Sequence, residues 1–365
     1  MNKFIPVNKP LITKEDANKV YSVLKDGWVS SEGSNVKQFE KNFSNFIGHK
    51  YSVAVSSGTA ALEIAVKSLN LKKGDEVIIP NFTIISNALA VIKSNLKIKL
   101  IDCELKNWNM DFKKVIAAIT NNTKAIIVTH IYNFPFRIDL LRKICKKKKI
   151  FIIEDAAESL GSKFKKLHTG VVGDMGIISF NGNKIITGGG GGIVLSNNKK
   201  RINKIKYLIN QAKDDPVKFI HNESGFNLRI NNLQSAIIYS QLIRIKDILK
   251  KKIIIHNTYK KYLNKDKISL ISNSNFNSGN YWINVAIINK DKYKNFNNIV
   301  KLLIKNDIEA RYVWYPNHLQ KPFKSFQKYK INNALSLVKK SICLPSSLNL
   351  KRSEIYKICQ IVNSI

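Results

Sequence analysis

Ser52-Val53-Ala54-Val55-Ser56-Ser57-Gly58-Thr59-Ala60-Ala61-Leu62 is the stretch that decides the fold. A β-rich run, Ser52–Ser56, breaks at Ser57-Gly58-Thr59, and Leu62, Ala65, Val66 and Leu69 then recur at helical spacing. The cadence repeats outward. Short β-rich runs at Glu76–Pro80, Ile98–Asp102, Ala125–His130, Ile150–Asp155, Ile177–Phe180 and Ile193–Ser196 end in polar or glycine residues, and a helical stretch often follows. Seven such strands with intervening helices predict an α/β unit, with a central seven-stranded mixed, mostly parallel sheet between helices. Ligands of such sheets collect at the carboxyl ends of the strands.

On either side the pattern changes. Lys14–Asp26 reads as a helix that turns at Gly27, and residues 197–260 as long helices, with Leu233, Ala236, Ile237, Ser240 and Leu242 marking an apolar face. Tyr281–Asn289 and Glu309–Tyr315 read as strands and Ser353–Val362 as a closing helix, giving a smaller C-terminal α+β domain. The expected division is 1–250 and 251–365, and 365 residues exceed a usual single domain. A hydrophobic fraction of 44% with 9% aromatics excludes disorder. No run approaches the roughly 18 apolar residues of a membrane span. The N-terminus MNKFIPVNKP lacks the apolar run of a signal peptide, so a soluble cytoplasmic protein is expected.

The 61 basic against 25 acidic residues give a formal net charge of +36. One reading is a nucleic acid or other anionic partner. The other is a Lys-, Asn- and Ile-rich composition of the kind an AT-rich coding sequence produces. Short basic runs such as Lys146 to Lys149, Lys199 to Arg201 and Lys250 to Lys252 are scattered and not interleaved with aromatics. A single-strand binder needs that interleaving, so no dedicated nucleic-acid partner is expected. Cys103, Cys145, Cys343 and Cys359 form no C-x-x-C pair and no zinc-like spacing with the six histidines, so reduced buried thiols and no metal are expected.

Three constellations carry chemistry. The Gly58-Thr59 turn opening a helix leaves backbone N–H groups and a positive dipole end that suit a phosphate, though an ordinary capped turn reads the same way. Ile153-Glu154-Asp155-Ala156-Ala157-Glu158 puts a carboxylate at the end of an apolar strand, where something cationic should meet Asp155. A protonated pyridine nitrogen would serve, and so would a plain Arg or Lys. Ser179-Phe180-Asn181-Gly182-Asn183-Lys184 places a Lys in an irregular turn after a strand, followed by the run Gly188 to Gly192. Those glycines lead into a strand, not out of one into a helix, which excludes a dinucleotide turn. A phosphate, a pyridinium nitrogen and an aldehyde that condenses with Lys together describe pyridoxal phosphate (PLP).

With Gly27-Trp28-Val29-Ser30-Ser31, Gly225-Phe226-Asn227-Leu228-Arg229 and Cys343-Leu344-Pro345-Ser346 in the same order, the chain resembles the DegT/StrS-type nucleotide-sugar aminotransferases of aspartate-aminotransferase fold type I. The resemblance runs over nearly the whole length and looks nearest to perosamine-synthase-like and bacillosamine-type members. It implies that Lys184 bonds the cofactor as a Schiff base and shuttles the proton, that Asp155 keeps the pyridine nitrogen protonated, and that Glu158 lies near the phenolic oxygen. Gly58, Thr59 and Ser179 would bind the phosphate. Asn227 would reach the phosphate of the neighbouring subunit, implying a homodimer with shared active sites. By the same resemblance the donor is glutamate and the acceptor a nucleotide-linked 4-keto-6-deoxy sugar, aminated for a surface polysaccharide. The segment Glu309–His318 would line the sugar-nucleotide pocket, with His318 as a substrate contact or an ordinary packing residue. Related dehydratases carry His where Lys184 stands, which favours amino transfer. A PLP-dependent nucleotide-sugar dehydratase and a basic nucleic-acid-binding or regulatory protein are the alternatives.

Three positions depart from the family pattern. Ile84 occupies the place of an aromatic that stacks on the cofactor, so apolar packing would cover that face. Ile186-Thr187-Gly188-Gly189-Gly190-Gly191 replaces T-T-G-E-G-G, and His130-Ile131-Tyr132-Asn133 replaces H-x-Y-G.

Overall fold

A computed structural model describes residues 4–271, 277–289 and 296–364. The seven expected strands form, as β1 (Tyr51–Val55), β2 (Glu76–Pro80), β3 (Lys97–Ile101), β4 (Thr123–Thr129), β5 (Phe151–Asp155), β6 (Met175–Ser179) and β7 (Gly192–Ser196). Their order is β1-β7-β6-β5-β4-β2-β3, and an eighth strand, Gln327–Tyr329, joins parallel to β3 at the far edge. Only β7 runs against its neighbours. The sheet is therefore eight-stranded, not seven. The added strand is three residues long and polar, so no alternation could announce it.

Alternate residues divide the sheet between two cores, which is why its strands read as continuous apolar runs. Val77, Ile79, Ile127, Ile153, Ile177 and Val194 pack in one cluster with Leu62, Ala65 and Val66. Ile78, Ile126, Val128 and Ile152 pack on the opposite face against Leu141 and Cys145, and Ile178, Ile193 and Leu195 there meet Phe39, Phe43 and Ile238.

Local chemistry sets the helix ends. In α1 (Lys14–Asp26) Thr13 and Asp16 cap each other reciprocally, and Gly27 ends the helix at φ +80°, a conformation that favours glycine. The helix Ser34–Ile47 is α2 and Gly58–Lys67 is α3. Residues 197–260 hold the helices Lys199–Ile209, Asn232–Ile243 and Ile245–Tyr262. In Asn232–Ile243 the buried side is Ser235, Ala236, Ile238, Gln241 and Leu242. Of the expected apolar face only Ala236 and Leu242 are fully buried, while Leu233, Ile237 and Ser240 are half-buried. Gln241 occupies that interior because its amide exchanges hydrogen bonds with the Thr187 backbone at 3.1 and 2.6 Å.

The C-terminal part holds a four-stranded antiparallel sheet in the order Ile268–Leu270, Asn284–Ile288, Ser341–Leu344, Arg311–Tyr312. Two strands are shorter than expected. Tyr281 sits at φ +50° before the chain straightens at Asn284, and Val313–Tyr315 leaves the sheet to place the Trp314 N–H on the Tyr132 hydroxyl at 3.1 Å. The closing helix spans Arg352–Asn363. Position 250 lies inside the helix Ile245–Tyr262, whose Ile245 and Ile248 pack with the large sheet's core and whose Ile255 and Tyr259 pack with the small sheet. The four cysteines are buried and free. Among the described residues, no helix is long and apolar enough to cross a membrane.

Candidate active site

β1, β5 and β6 run parallel, so the carboxyl ends at Val55, Asp155 and Ser179 face one edge of the sheet. After β1 the chain turns directly into α3, whose cap is Ser57, accepting the Ala60 N–H at 3.0 Å. The first turn of α3 lies hard against the end of β6. A Cβ on Gly58 would stand 2.7 Å from Ser179 Cβ, so the approach requires glycine. The Thr59 hydroxyl is 3.0 Å from that of Ser86. Unpaired N–H groups of the first helical turn, two hydroxyls and the positive dipole end together make an anion cradle.

That cradle opens into a cleft also lined by Asp155, Lys184, Ile84, Trp282 and Trp314. Lys184 follows a tight turn in which its N–H donates to the Asn181 carbonyl at 3.0 Å, and its Nζ stands 3.9 Å from the centre of the Trp282 indole. Burial pushes the amine's pKa down, while Glu158 and Asp155 oppose it. Burial pushes Asp155 up, against the Ala157 N–H and the Lys184 charge. The Glu158 carboxyl is pushed up to about 7 by burial, although Lys184 and the Tyr132 N–H, 2.7 Å away, favour its charge.

The glycine run is tied at both ends. The Gly188 N–H donates to the Phe180 carbonyl and the Gly191 N–H to the Ser56 carbonyl. A Cβ on Gly192 would come within 2.4 Å of the Ser57 carbonyl oxygen, so the β1–β7 junction admits no side chain there. The 130–133 turn also has a physical account. Asn133 lies at φ +73°, the left-handed region where the family pattern has Gly and where Asn is tolerated. His130 is fully buried. Its Nδ1 accepts the Phe136 N–H, which leaves the ring proton on Nε2, 3.0 Å from Glu154.

The structure thus brings Gly58, Thr59, Asp155, Ser179 and Lys184 to one cleft, with Glu158 beside it. Two expected residues lie elsewhere. Asn227 is exposed and bridges the backbone of Asn210, at a separate surface hollow with His221 and Glu223. His318 is outside the lining of the cleft and half-buried, and its Nδ1 and backbone N–H both meet Asn81 Oδ1, at 3.0 and 2.9 Å. The lining residues not foreseen are Ser86 and Trp282, from segments without a motif, and Asn181 and Asn183, which lie within the Ser179–Lys184 segment but carry no role of their own in its reading. An amine, a buried carboxylate and an anion cradle in one cleft, with Gly58 forced by Ser179, fit the aldehyde, ring nitrogen and phosphate of PLP.

The profile of the DegT/DnrJ/EryC1/StrS aminotransferase family matches residues 10–363. GDP-perosamine synthase of Escherichia coli O157:H7 is 32% identical over 362 residues, covering 99% of this chain and 98% of its own. GDP-perosamine synthase of Vibrio cholerae is 30% identical over 363 residues, covering 99% and 98%. Among solved structures, Helicobacter pylori PseC, an aminotransferase involved in the biosynthesis of pseudoaminic acid, superposes with a TM-score of 0.93 at 22% identity, covering 99% of both chains. The chain therefore belongs to the DegT/DnrJ/EryC1/StrS aminotransferase family.

Proposed function

We propose that this PLP-dependent aminotransferase moves an amino group from glutamate to a nucleotide-linked 4-keto-6-deoxy sugar, giving a perosamine-like 4-amino-4,6-dideoxy sugar for a surface polysaccharide. The observation that carries the reading is the meeting of the Lys184 amine, the Asp155 carboxylate and the α3 cradle in one cleft. The likeness to two GDP-perosamine synthases supports the sugar.

Bound there, PLP supplies an aldehyde that accepts an amino group and a ring that takes up electrons when a carbon–hydrogen bond breaks. Gly58, Thr59 and Ser179 hold its phosphate. Asp155 keeps a proton on the ring nitrogen, and Glu158 lies beside the phenolic oxygen. Burial gives Lys184 access to its neutral form, in which it takes the α-proton of the donor. As ammonium it returns that proton. Trp282, Trp314 and Ile84 give the cleft apolar walls. Asn227 completes the site of a second copy in a homodimer with shared sites, consistent with its exposure and its place outside the lining of its own chain's cleft. The reading also includes a cytoplasmic protein divided at 1–250 and 251–365, supported by the change of core along the helix Ile245–Tyr262.

The test is the visible spectrum of the PLP-loaded enzyme with glutamate, followed by a panel of nucleotide ketosugars. A visible band that bleaches with glutamate and returns with a 4-keto-6-deoxy sugar is the expected result. A deoxygenated, unaminated product would indicate the dehydratase. No band in wild type as in Lys184→Ala would overturn the assignment.

A further inference from the structure

Lys252 is a buried cation that the chemistry above does not use. It lies on the helix Ile245–Tyr262, only 1% exposed. Among the described residues no carboxylate forms an ion pair with it. Its Nζ donates instead to three oxygens: Asn8 Oδ1 at 3.0 Å, the Trp282 carbonyl at 3.0 Å and the Ser346 carbonyl at 2.5 Å. Burial alone pushes the amine to about 7, whereas three acceptors around one nitrogen match the three N–H bonds of the ammonium form. An ammonium without a counter-charge is costly to bury, and an apolar side chain would fill the volume at lower cost.

The partners of Lys252 show where the constraint goes. Asn8 Nδ2 donates to the Asn183 carbonyl at 2.5 Å, and Trp282 Nε1 donates to the same oxygen at 2.5 Å. Asn183 immediately precedes Lys184, and the Trp282 ring is the surface against which the Lys184 amine rests. One buried nitrogen therefore joins the N-terminal segment, the helix Ile245–Tyr262, Trp282 and Ser346. Two of these contacts converge on the peptide that carries Lys184.

We propose that Lys252 is a positioning residue for Lys184: its ammonium clamps Asn8 and Trp282, which fix the Asn183 carbonyl and the indole face against the Lys184 amine. The proposal rests on the reading of Lys184 as the residue that captures PLP. Capture joins the Lys184 nitrogen to the aldehyde carbon and releases the aldehyde oxygen as water, with no net oxidation. A misplaced amine slows that step without weakening the phosphate cradle, which belongs to α3 and Ser179.

The experiment mixes cofactor-free enzyme with PLP in stopped flow and follows the visible band at increasing PLP. The limiting rate reports the orientation of Lys184, and the half-saturating concentration reports the cradle. In Lys252→Met the limiting rate should fall about tenfold or more with half-saturation within about twofold of wild type. Lys252→Arg, which keeps the charge, should recover most of the loss. A folded Lys252→Met with a wild-type limiting rate overturns the proposal. So does a change confined to half-saturation, or a folded Lys252→Arg as slow as Lys252→Met. If Lys252→Met does not fold, Asn8→Ala carries the test from the half-buried side of the cluster, and an unchanged limiting rate there overturns it. A wild-type enzyme that forms no band fails the Lys184 reading itself, a separate result.

Discussion

Replacing Gly58 by Ala tests the anion cradle without removing any polar group. The new Cβ would stand 2.7 Å from Ser179 Cβ and 2.8 Å from its Oγ, where ordinary contact begins at 3.4 Å. The helix start and the strand end must part by about 0.7 Å. Both belong to regular elements, α3 and β6, so the strain cannot be absorbed by one flexible side chain. Overpacking of this kind costs about 1–3 kcal/mol of stability. A displacement of that size takes one donor of the cradle out of hydrogen-bond range. Losing one bond to a charged group, worth about 1.5–3 kcal/mol, should raise the PLP dissociation constant roughly ten- to a hundredfold. Absorbance titration of the cofactor-free variant with PLP measures this, and thermal unfolding shows that the variant is folded. Gly182→Ala is the control, since a Cβ there meets nothing within 4 Å. A folded Gly58→Ala that binds PLP as tightly as wild type would refute the cradle.

Lys184→Ala should abolish the visible band and raise the Glu158 pKa above its value of about 7, because Lys184 is the largest influence favouring the Glu158 charge. Carboxyl infrared titration reads the shift, and an unmoved Glu158 would deny the coupling. Glu154→Gln presents an NH₂ group to an array made only of donors, namely His130 Nε2 and the N–H groups of Gly170, Val172 and Gly173. It should cost about 2–5 kcal/mol in denaturant unfolding at neutral pH. Against burial, those donors hold the Glu154 pKa below the ordinary 4.5. The gap between wild type and variant should therefore be full above 4.5 and close as the pH falls through the native pKa. A pH-independent gap would contradict that. In the proposed shared-site homodimer, mixing inactive Asn227→Ala and Lys184→Ala subunits should restore up to about a quarter of wild-type activity, since each heterodimer would have one intact site. No recovery on subunit exchange would place Asn227 outside the site.

The α/β architecture is legible because the central strands are buried on both faces and every strand is followed by polar or glycine residues, so composition and punctuation agree. The convergence of Gly58, Thr59, Asp155 and Ser179 on one cleft is legible because each sits at the end of such a strand or starts the helix after it, and Lys184 is legible from its irregular turn five residues past the end of β6. The buried side of Asn232–Ile243 is only partly legible, because Ser235 and Gln241 are buried with hydrogen bonds while Leu233 and Ile237 remain half-buried. Trp282 and Ser86 carry no local signal. They reach the cleft only because the small sheet and the helix Ser86–Ile92 are packed beside it, a tertiary fact without periodicity.

Buried charges accomplish much of that tertiary placement. Asp102 follows β3 and is fully buried. It accepts Lys114 Nζ at 3.0 Å and the N–H groups of Asn332, Asn333 and Ala334 at 2.7, 2.9 and 3.2 Å. That fixes the chain just after Gln327–Tyr329 beside β3, so a strand with little β-propensity of its own is held in the sheet from one end. Glu154 likewise collects the 170–173 loop beneath Asp155, and Lys252 collects the segments around Lys184. In each case a charge that would be expensive alone is satisfied by backbone groups from distant parts of the chain. Loss of any one therefore leaves several partners unpaired at once. Apolar clusters can trade volume among neighbours, but an array of backbone donors or acceptors has one geometry. The cleft is accordingly held by polar contacts where its position matters and by apolar packing where only its volume does.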